Sequence, residues 1–271
     1  MELTLNNIKY RNIKGFNLKV KEGLINGIFG LNGSGKSSLM DIMSFIKNPN
    51  DGNIVLDGMR INKNNYMVNY DLIRFDVCYI MQNPKQQFFC NTVKEQIMYY
   101  LKQYNYKTND NRIIKSLQMV ELDESYIDRE INSLSSSEIF KVALASVVAL
   151  NPKILILDEP SIYLDNKSKK MLFKIIRTMK QRYNKTIIIL SYNLDFLIEI
   201  SDYLYVINEG QKIFEGTKQD VFKNDKILEK NGIRSTKTIE FSKLVEKEKG
   251  IKIGYRDNIN DLIKDIYFYV H

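Results

Sequence analysis

Residues 30–37 constrain the fold of this chain more strongly than any other segment. They read Gly-Leu-Asn-Gly-Ser-Gly-Lys-Ser and fit the spacing G-x-x-x-x-G-K-[ST]. A short apolar run over residues 25–29 precedes them, and residues 36–46 carry apolar side chains at helical spacing. A strand, a glycine-rich loop and a helix in this order are typical of a loop that binds phosphate. The sequence therefore predicts an α/β core that holds a nucleotide.

This loop supplies the candidate nucleotide ligands. Its glycines let backbone N–H groups curl around phosphate oxygens, while the following helix points its positive end at them. Lys36 adds a cation near the β- and γ-phosphates, and Ser37 offers a hydroxyl to Mg²⁺. The residues expected to bind ATP here are Gly30, Asn32, Gly33, Ser34, Gly35, Lys36, Ser37 and Ser38. A chance glycine-rich turn is the alternative, which the flanking strand and helix disfavour.

A second apolar run ends in two carboxylates. Residues 154–157 are all aliphatic, as in a strand buried on both faces of a parallel sheet, and Asp158 and Glu159 follow. Alone, this pattern is commonly just a strand that meets solvent. Together with the phosphate loop it predicts that Asp158 holds Mg²⁺ through its water shell and that Glu159 orients or deprotonates the attacking water.

The rest of the chain alternates between strand and helix patterns. Residues 3–10 and 16–20 alternate as antiparallel strands do, a turn is predicted at residues 48–52, and residues 186–190 form another buried strand after an amphipathic helix. Strands that alternate with helices indicate a parallel sheet. The last segment predicts a helix with one apolar face, formed by Ile259, Leu262, Ile263, Ile266 and Tyr267.

Charge and composition exclude several classes of protein. The 40 basic and 32 acidic residues give a net charge of +8, but the basic residues are spread and form no stripe, which disfavours specific nucleic-acid binding. No apolar run approaches the roughly 18 to 20 residues of a membrane span, and the N-terminus lacks a signal pattern. Cys78 and Cys90 lack the spacing of a disulfide framework or a zinc site. We therefore expect a cytosolic or peripheral protein.

With these motifs the sequence resembles the ATP-binding subunits of ABC transporters over about residues 1–219. Gln82, before Asn-Pro, resembles the Q-loop glutamine that contacts magnesium in that family, and Asp165 resembles the D-loop aspartate. Tyr10 is the candidate for stacking on adenine, with an ordinary strand aromatic as the alternative. The resemblance implies a P-loop NTPase with a RecA-like parallel core, an antiparallel β subdomain and a helical subdomain near residues 84–150.

Two further segments resemble the ATPases of energy-coupling factor (ECF) transporters. They are residues 82–93 and the tail from Gly216 through Gly232 and Ile233. The resemblance implies import of a vitamin or metal ion by two ATPases that bind a transmembrane coupling protein and, through it, a substrate-binding membrane protein. It also implies that residues 220–271 form a C-terminal dimerisation appendage and that the chain lies peripherally on the cytoplasmic face of the membrane.

The chain departs from this family after its predicted strand at residues 186–190. Ser191, Tyr192 and Asn193 stand where Thr-His-Asp is usual, so Tyr192 replaces the switch histidine. A phenol with a pKa near 10 offers only a neutral donor at pH 7. Losing one transition-state donor costs on the order of 100- to 1000-fold in rate, so we expect slow hydrolysis at this site. The alternative is that Tyr192 only packs against the sheet edge.

The signature motif departs as well. In Leu-Ser-Ser-Ser-Glu, Ser136 and Ser137 replace the two usual glycines, and their Cβ atoms can obstruct close approach to phosphate. Ser135 and Ser137 are the candidates for contacting the nucleotide of the opposite subunit. Each ATP in an ABC dimer lies between one phosphate loop and the other subunit's signature, so a homodimer would combine both defects in both sites. The resemblance therefore favours a heterodimer with a more typical ATPase.

Two other functions remain open from the sequence. Tyr192 and the altered signature suit a regulatory nucleotide-binding subunit with little activity, although the intact Glu159 argues against it. A non-transport ABC ATPase of translation or DNA repair is disfavoured, because the chain has one nucleotide motif set and no long coiled-coil insert.

Overall fold

The structure is a computed structural model that describes residues 1–65, 73, 75–103, 106, 109–250, 263, 264 and 267. Its strands are β1 (Leu3–Tyr10), β2 (Ile13–Lys19), β3 (Ile25–Phe29), β4 (Asp51–Leu56), β5 (Met59–Ile61), β6 (Val77–Ile80), β7 (Ile154–Asp158), β8 (Thr186–Ser191), β9 (Tyr203–Asn208) and β10 (Gln211–Thr217). Its helices are α1 (Lys36–Met43), α2 (Val93–Gln103), α3 (Asp110–Met119), α4 (Ser136–Leu150), α5 (Asn166–Tyr183), α6 (Leu194–Ile200), α7 (Lys218–Lys223), α8 (Asp225–Lys230) and α9 (Lys237–Lys249).

The larger sheet positions the nucleotide motifs. It has six strands in the order β10-β9-β3-β8-β7-β6, and all neighbours run parallel except β9 and β10. The strands β3 and β8 are buried along their whole length, which explains the aliphatic run of β8 and the apolar residues at both ends of β3. The carboxyl ends of β3, β6, β7 and β8 meet at one edge, where ligands bind in open parallel sheets.

The smaller sheet is antiparallel, with the order β2-β1-β4-β5. Its buried face, which includes Leu5 and Phe16, shares a core with Met40 on α1 and with Ile156 and Ile188 on the larger sheet. The helix α1, which follows the phosphate loop, therefore packs between the two sheets.

A second core covers the opposite face of the larger sheet. Buried side chains of α2, α3 and α4 join those of α5 and α6 in one cluster. The helix α4 is buried along most of its length, which accounts for the longest apolar stretch in the sequence. Only the start of α4 is exposed to solvent, and this is where the predicted signature residues lie.

The predicted fold class is confirmed, although several boundaries differ. The predicted strands at residues 3–10 and 25–29 match β1 and β3, whereas β2 begins earlier than expected. The helix α1 ends at Met43 instead of residue 46, because Phe45 adopts a left-handed backbone with φ of 58°. The turn predicted at residues 48–52 was too long, since β4 begins at Asp51 and pairs with β1.

The C-terminal region contains helices α7, α8 and α9 within residues 218–249. Of the apolar positions in the predicted last helix, Ile263 and Tyr267 are described, while Ile259, Leu262 and Ile266 lie outside the described residues. The domain boundaries, the helical subdomain at residues 84–150 and the dimerisation appendage stay predictions.

Candidate nucleotide site

The phosphate loop connects β3 to α1 in a conformation that requires glycine. At Gly30 an added Cβ would lie 2.2 Å from Ser34 Oγ, and Gly33 and Gly35 have φ values of +81° and +110°. Around Gly33 there is no atom within 4 Å of the added Cβ among the described residues, so this side of the loop is open. The Ser34 hydroxyl is buried and has no hydrogen-bond partner within the described chain. These features fit a loop that receives phosphate oxygens.

Lys36 is buried and curves back over this loop. Its ammonium donates to the carbonyl oxygens of Gly30 at 2.5 Å and Leu31 at 3.3 Å. Its Nζ also lies 3.6 Å from a carboxylate oxygen of Glu159. Burial lowers the pKa of Lys36, and the negative charge of Glu159 opposes that shift. The lysine therefore stands between the loop and the carboxylate pair at the end of β7.

Glu159 is 4% exposed and is held by the strand next to its own. Its carboxylate accepts hydrogen bonds from Ser191 Oγ at 2.9 Å and from the backbone N–H of Tyr192 at 2.9 Å, both at the end of β8. The backbone of Glu159 is left-handed, with φ of 47°. This geometry fixes a carboxylate in the region that Lys36 also reaches.

Asp158 precedes Glu159 at the end of β7. Burial, together with the negative charge of Glu159, raises the pKa of Asp158 to about 6. Asp158 lines a cavity with Ser37 and Gln82, and each of the three carries a side-chain oxygen. Oxygen donors of this kind fit Mg²⁺, which needs few protein ligands because it keeps waters and binds substrate phosphates.

Most of the predicted nucleotide and metal residues line one cavity of about 450 Å³, a volume suited to a small ligand, whereas Gly30 and Ser34 are not among its walls. Its walls include Asn32, Gly33, Gly35, Lys36, Ser37, Ser38, Gln82, Asp158, Glu159 and Tyr192. A second cavity of about 410 Å³ shares Ser37, Gln82 and Asp158 and extends toward Asn83 and Gln86. The site therefore opens along the segment that follows β6.

Sequence reasoning missed Asn12, which also lines the first cavity. Its amide donates to the carbonyl oxygen of Gly33 at 3.1 Å and accepts from Ser38 Oγ at 2.9 Å. This residue fastens the turn between β1 and β2 to the phosphate loop. An asparagine in a short polar turn gives no signal of such a contact, because the contact depends on how the two sheets pack.

Other predicted site residues lie outside both cavities. The hydroxyl of Tyr10 donates to Asp41 at 3.3 Å, and the guanidinium of Arg11 lies over its ring. Asp165 caps α5 by accepting from the Ser168 N–H at 2.7 Å. Stacking of adenine on Tyr10 and a catalytic role for Asp165 both stay predictions.

The signature residues form a separate network at the start of α4. Ser135 caps this helix, and its N–H and hydroxyl both donate to the Glu138 carboxylate. The hydroxyl of Tyr126 donates to the same carboxylate at 2.5 Å, and Arg129 lies 3.8 Å from it. The hydrogen bonds from Tyr126 and Ser135 lower the pKa of Glu138 to about 2. None of these residues lines the cavity beside Lys36 in the described chain.

A phosphate loop, a carboxylate pair on a nearby parallel strand and a small antiparallel sheet define an ATP-binding cassette, a class of P-loop ATPase. A likeness to a dimeric cassette bound to ADP and Pi supports this fold, with a TM-score of 0.71, 23% identity and coverage of 80% of this chain and 98% of that chain. Residues 13–162 match the family described as ABC transporter.

Relatives agree with this class. The chain is 33% identical over 235 residues to the energy-coupling factor transporter ATP-binding protein EcfA2 of Clostridium perfringens, which covers 86% of this chain and 79% of that protein. It is 36% identical over 231 residues to the EcfA1 protein of Mesomycoplasma hyopneumoniae, covering 85% and 83%. The structure of cbiO1 from Clostridium perfringens, part of the transporter complex cbiONQ, matches with 26% identity and a TM-score of 0.71 over 89% of this chain and 98% of that one.

This chain therefore belongs to the ABC transporter family, as an ATP-binding subunit. Its activity is ATP hydrolysis coupled to transport. None of the helices among the described residues combines the length and the apolar character that a bilayer crossing requires.

Proposed function

We propose that this chain binds and hydrolyses ATP to power an ECF-type membrane importer of a micronutrient, either a vitamin or a metal ion. The observation that carries the proposal is the convergence of Lys36, Ser37, Asp158 and Glu159 on one cavity. The similarity to ATP-binding proteins of ECF transporters supports the transport class. The substrate class rests on that relationship, because another polypeptide recognises the substrate.

The proposed chemistry divides the cavity between binding and proton transfer. The N–H groups of residues 30–38 and the ammonium of Lys36 would bind the phosphates, while Ser37, Gln82 and Asp158 would hold Mg²⁺, which would supply positive charge to the phosphate oxygens. Glu159 accepts a proton from the attacking water. The hydrogen bonds from Ser191 and Tyr192 keep its carboxylate directed and exclude rotamers that point away.

Tyr192 is proposed to replace the switch histidine imperfectly. Its side chain is 48% exposed and lines the cavity that contains Glu159. Its phenol can donate one hydrogen bond to a phosphate oxygen, but without positive charge. The charge that a protonated imidazole would place beside the transferring phosphate is therefore missing, and we propose slow hydrolysis at this site.

A second ATPase subunit is proposed to complete the site. The signature residues Ser135 and Ser137 lie at the start of α4 and are not among the cavity walls. If the signature of each subunit faces the phosphate loop of the other, both the start of α4 and the ATP cavity of this chain contribute to nucleotide binding. Because this chain combines an altered signature with Tyr192, a heterodimer with a more typical subunit keeps at least one site with fewer defects.

An aromatic surface beside Gln82 is proposed to contact the transmembrane coupling protein. Phe89 is 69% exposed, and its ring centroid lies 5.6 Å from that of Tyr99. The N–H of Phe89 donates to Gln96, while the Met81 N–H donates to Gln87 at 2.9 Å. These bonds join the aromatic surface to the segment that carries Gln82. Docking there would place the chain at the cytoplasmic face of the membrane.

The test is ATP turnover by the co-purified complex that carries Glu159→Gln in this chain only. We expect turnover at this site to fall on the order of 100- to 1000-fold, while ATP binding persists, because the amide keeps the shape but cannot accept the proton. Glu121→Gln is a matched control, since Glu121 is exposed, has a left-handed φ of 56° and lies at the end of α3.

Turnover near the wild-type rate with ATP still bound would instead identify a regulatory subunit whose partner performs the chemistry. Tyr192 and the serine-substituted signature favour this second function. Absence of the chain from the membrane fraction after gentle lysis would contradict both and favour a non-transport ATPase.

A further inference from the structure

The first turns of α4 and α5 are joined by two hydroxyl groups. Ser137 Oγ lies 3.0 Å from Ser168 Oγ. Ser168 is 4% exposed, so water competes little for this contact. Ser137 is the second residue of α4, in the signature motif, and Ser168 is the third residue of α5. The contact therefore joins the helix that carries the signature motif to the helix that follows the Glu159–Asp165 segment.

Ser168 also contacts the residue that caps its helix. The backbone N–H of Ser168 donates to Asp165 Oδ1 at 2.7 Å, and this bond lowers the pKa of Asp165. In the contact between the two hydroxyl groups, either Ser137 or Ser168 can be the donor. Ser137 is therefore linked through Ser168 to Asp165.

The contacts of Ser137, Ser168 and Asp165 reach the segment that carries Glu159. From Glu159 the backbone passes through the short 3-10 turn Pro160–Tyr163 to Asp165, which caps α5. Glu159 has a left-handed backbone that is costly for a residue with a side chain, so its position depends on how this segment is held. A link at Asp165 restrains the far end of the segment.

We propose that Ser137 is a positioning residue that acts through Ser168 and Asp165 to hold the Glu159–Asp165 segment against the start of α4. This inference rests on the proposed function, because it concerns how that site is kept in order. It gives the serine at position 137 a role that a glycine cannot perform, since glycine has no hydroxyl group to share with Ser168. The signature and the catalytic segment of one subunit then move as a unit.

The first experiment measures amide hydrogen exchange in the purified chain, so it requires neither ATP turnover nor a partner. Ser137→Ala and Ser168→Ala are each expected to speed exchange in peptides that span residues 160–169 by roughly 3- to 10-fold, the loss of about one hydrogen bond. Ser168→Thr keeps the hydroxyl and should retain wild-type exchange. Ser146→Ala is the matched control, because Ser146 lies on the same helix and donates only to the Val142 carbonyl.

The second experiment measures ATP turnover by the co-purified complex. Ser168→Ala should lower kcat by roughly 3- to 10-fold without changing KM, because Ser168 lies outside the ATP cavity. Combining it with Ser137→Ala should add little to the loss in the Ser137→Ala variant, since both break one chain of bonds. Ser168→Thr should restore kcat.

Unchanged exchange at residues 160–169 in Ser137→Ala, or additive losses of kcat in the double variant, would overturn the inference. Failure of the proposed function would look different. In that case Glu159→Gln would leave turnover intact, while the exchange experiment would still report whether Ser137 restrains the segment.

Discussion

The ATP cavity and the signature network are built in different ways. In the cavity, Lys36 and Glu159 are buried, and their positions follow from strands β3, β7 and β8 of the larger sheet. In the signature network, Ser135 is exposed, Glu138 is half-buried, and hydrogen bonds between neighbouring side chains maintain its order. Burial strengthens electrostatic contacts, whereas exposure to water weakens them. Substitutions should therefore have large effects in the cavity and small ones in the network.

The largest effect is expected from Lys36→Ala. Lys36 provides the buried ammonium closest to the loop, and charge-assisted bonds to phosphate are among the strongest available. ATP affinity, measured by calorimetry, should fall roughly 100-fold. Lys174→Ala, which alters an exposed lysine on α5, should leave affinity unchanged. A loss of ATP affinity of less than about threefold in Lys36→Ala would contradict the expectation that substitutions in the cavity have large effects.

Asp158→Asn should stabilise the protein in the absence of nucleotide. The pKa of Asp158 is raised to about 6 from 3.8, so the folded state binds a proton more tightly than the unfolded state. The unfavourable contribution of the carboxylate therefore grows as pH rises from about 4 to 6 and is complete above 6. Urea denaturation at pH 8 should show a gain on the order of 1 to 3 kcal/mol that fades near pH 4. Asp128→Asn, at an exposed position whose backbone is not left-handed, should show no such gain.

Ser191→Ala tests how strongly the cavity depends on a neighbouring strand. The variant removes the hydroxyl that donates to Glu159 at 2.9 Å. Turnover kinetics should show kcat lowered roughly 10-fold with KM nearly constant, because the carboxylate loses orientation while the phosphate loop is intact. Ser201→Ala provides the control, since Ser201 Oγ is buried and has no hydrogen-bond partner in the described chain. Equal losses in both variants would contradict a positioning role.

Tyr126→Phe should have the smallest effect and extends the comparison to the signature network. It removes one hydrogen bond to Glu138, whose pKa is lowered to about 2 from 4.5. The stabilising contribution of this carboxylate is present above pH 4.5 and is lost as pH falls toward 2. Because the group faces solvent, the loss at pH 7 should stay below about 1 kcal/mol and shrink at pH 2 in urea titrations. A change in the free energy of unfolding larger than that of Asp158→Asn would reverse the comparison.

The sequence predicted the parts of the site whose geometry is local. The spacing of residues 30–37 places the phosphate loop between β3 and α1 whatever surrounds it, and aliphatic runs locate β7 and β8. The parallel sheet then brings Asp158, Glu159 and Tyr192 to the same edge as Lys36. Their roles in catalysis stay predictions, but their proximity follows from strand order.

The features that the sequence did not predict depend on distant pairing. The strands β4 and β5 are short, and they are held by pairing: β4 pairs with β1, far upstream in the chain, and β5 pairs with β4. The strand β9 is a short, mainly apolar run, and such a run alone does not distinguish a strand from a helix segment. Contacts made by Asn12 and Ser191 use common polar residues, whose partners are set only when the two sheets and the neighbouring strands come together.

The left-handed backbone at Glu159 affects which amino acids can replace this residue during evolution. An asparagine or a glycine would occupy this φ of 47° at less cost, so the backbone conformation alone favours replacement of the glutamate. The glutamate is therefore held in a conformation that its own backbone disfavours. A lineage that abandoned ATP hydrolysis would be released from this backbone cost by a substitution here, but it would give up the contacts that Ser191, Tyr192 and Lys36 make with the carboxylate.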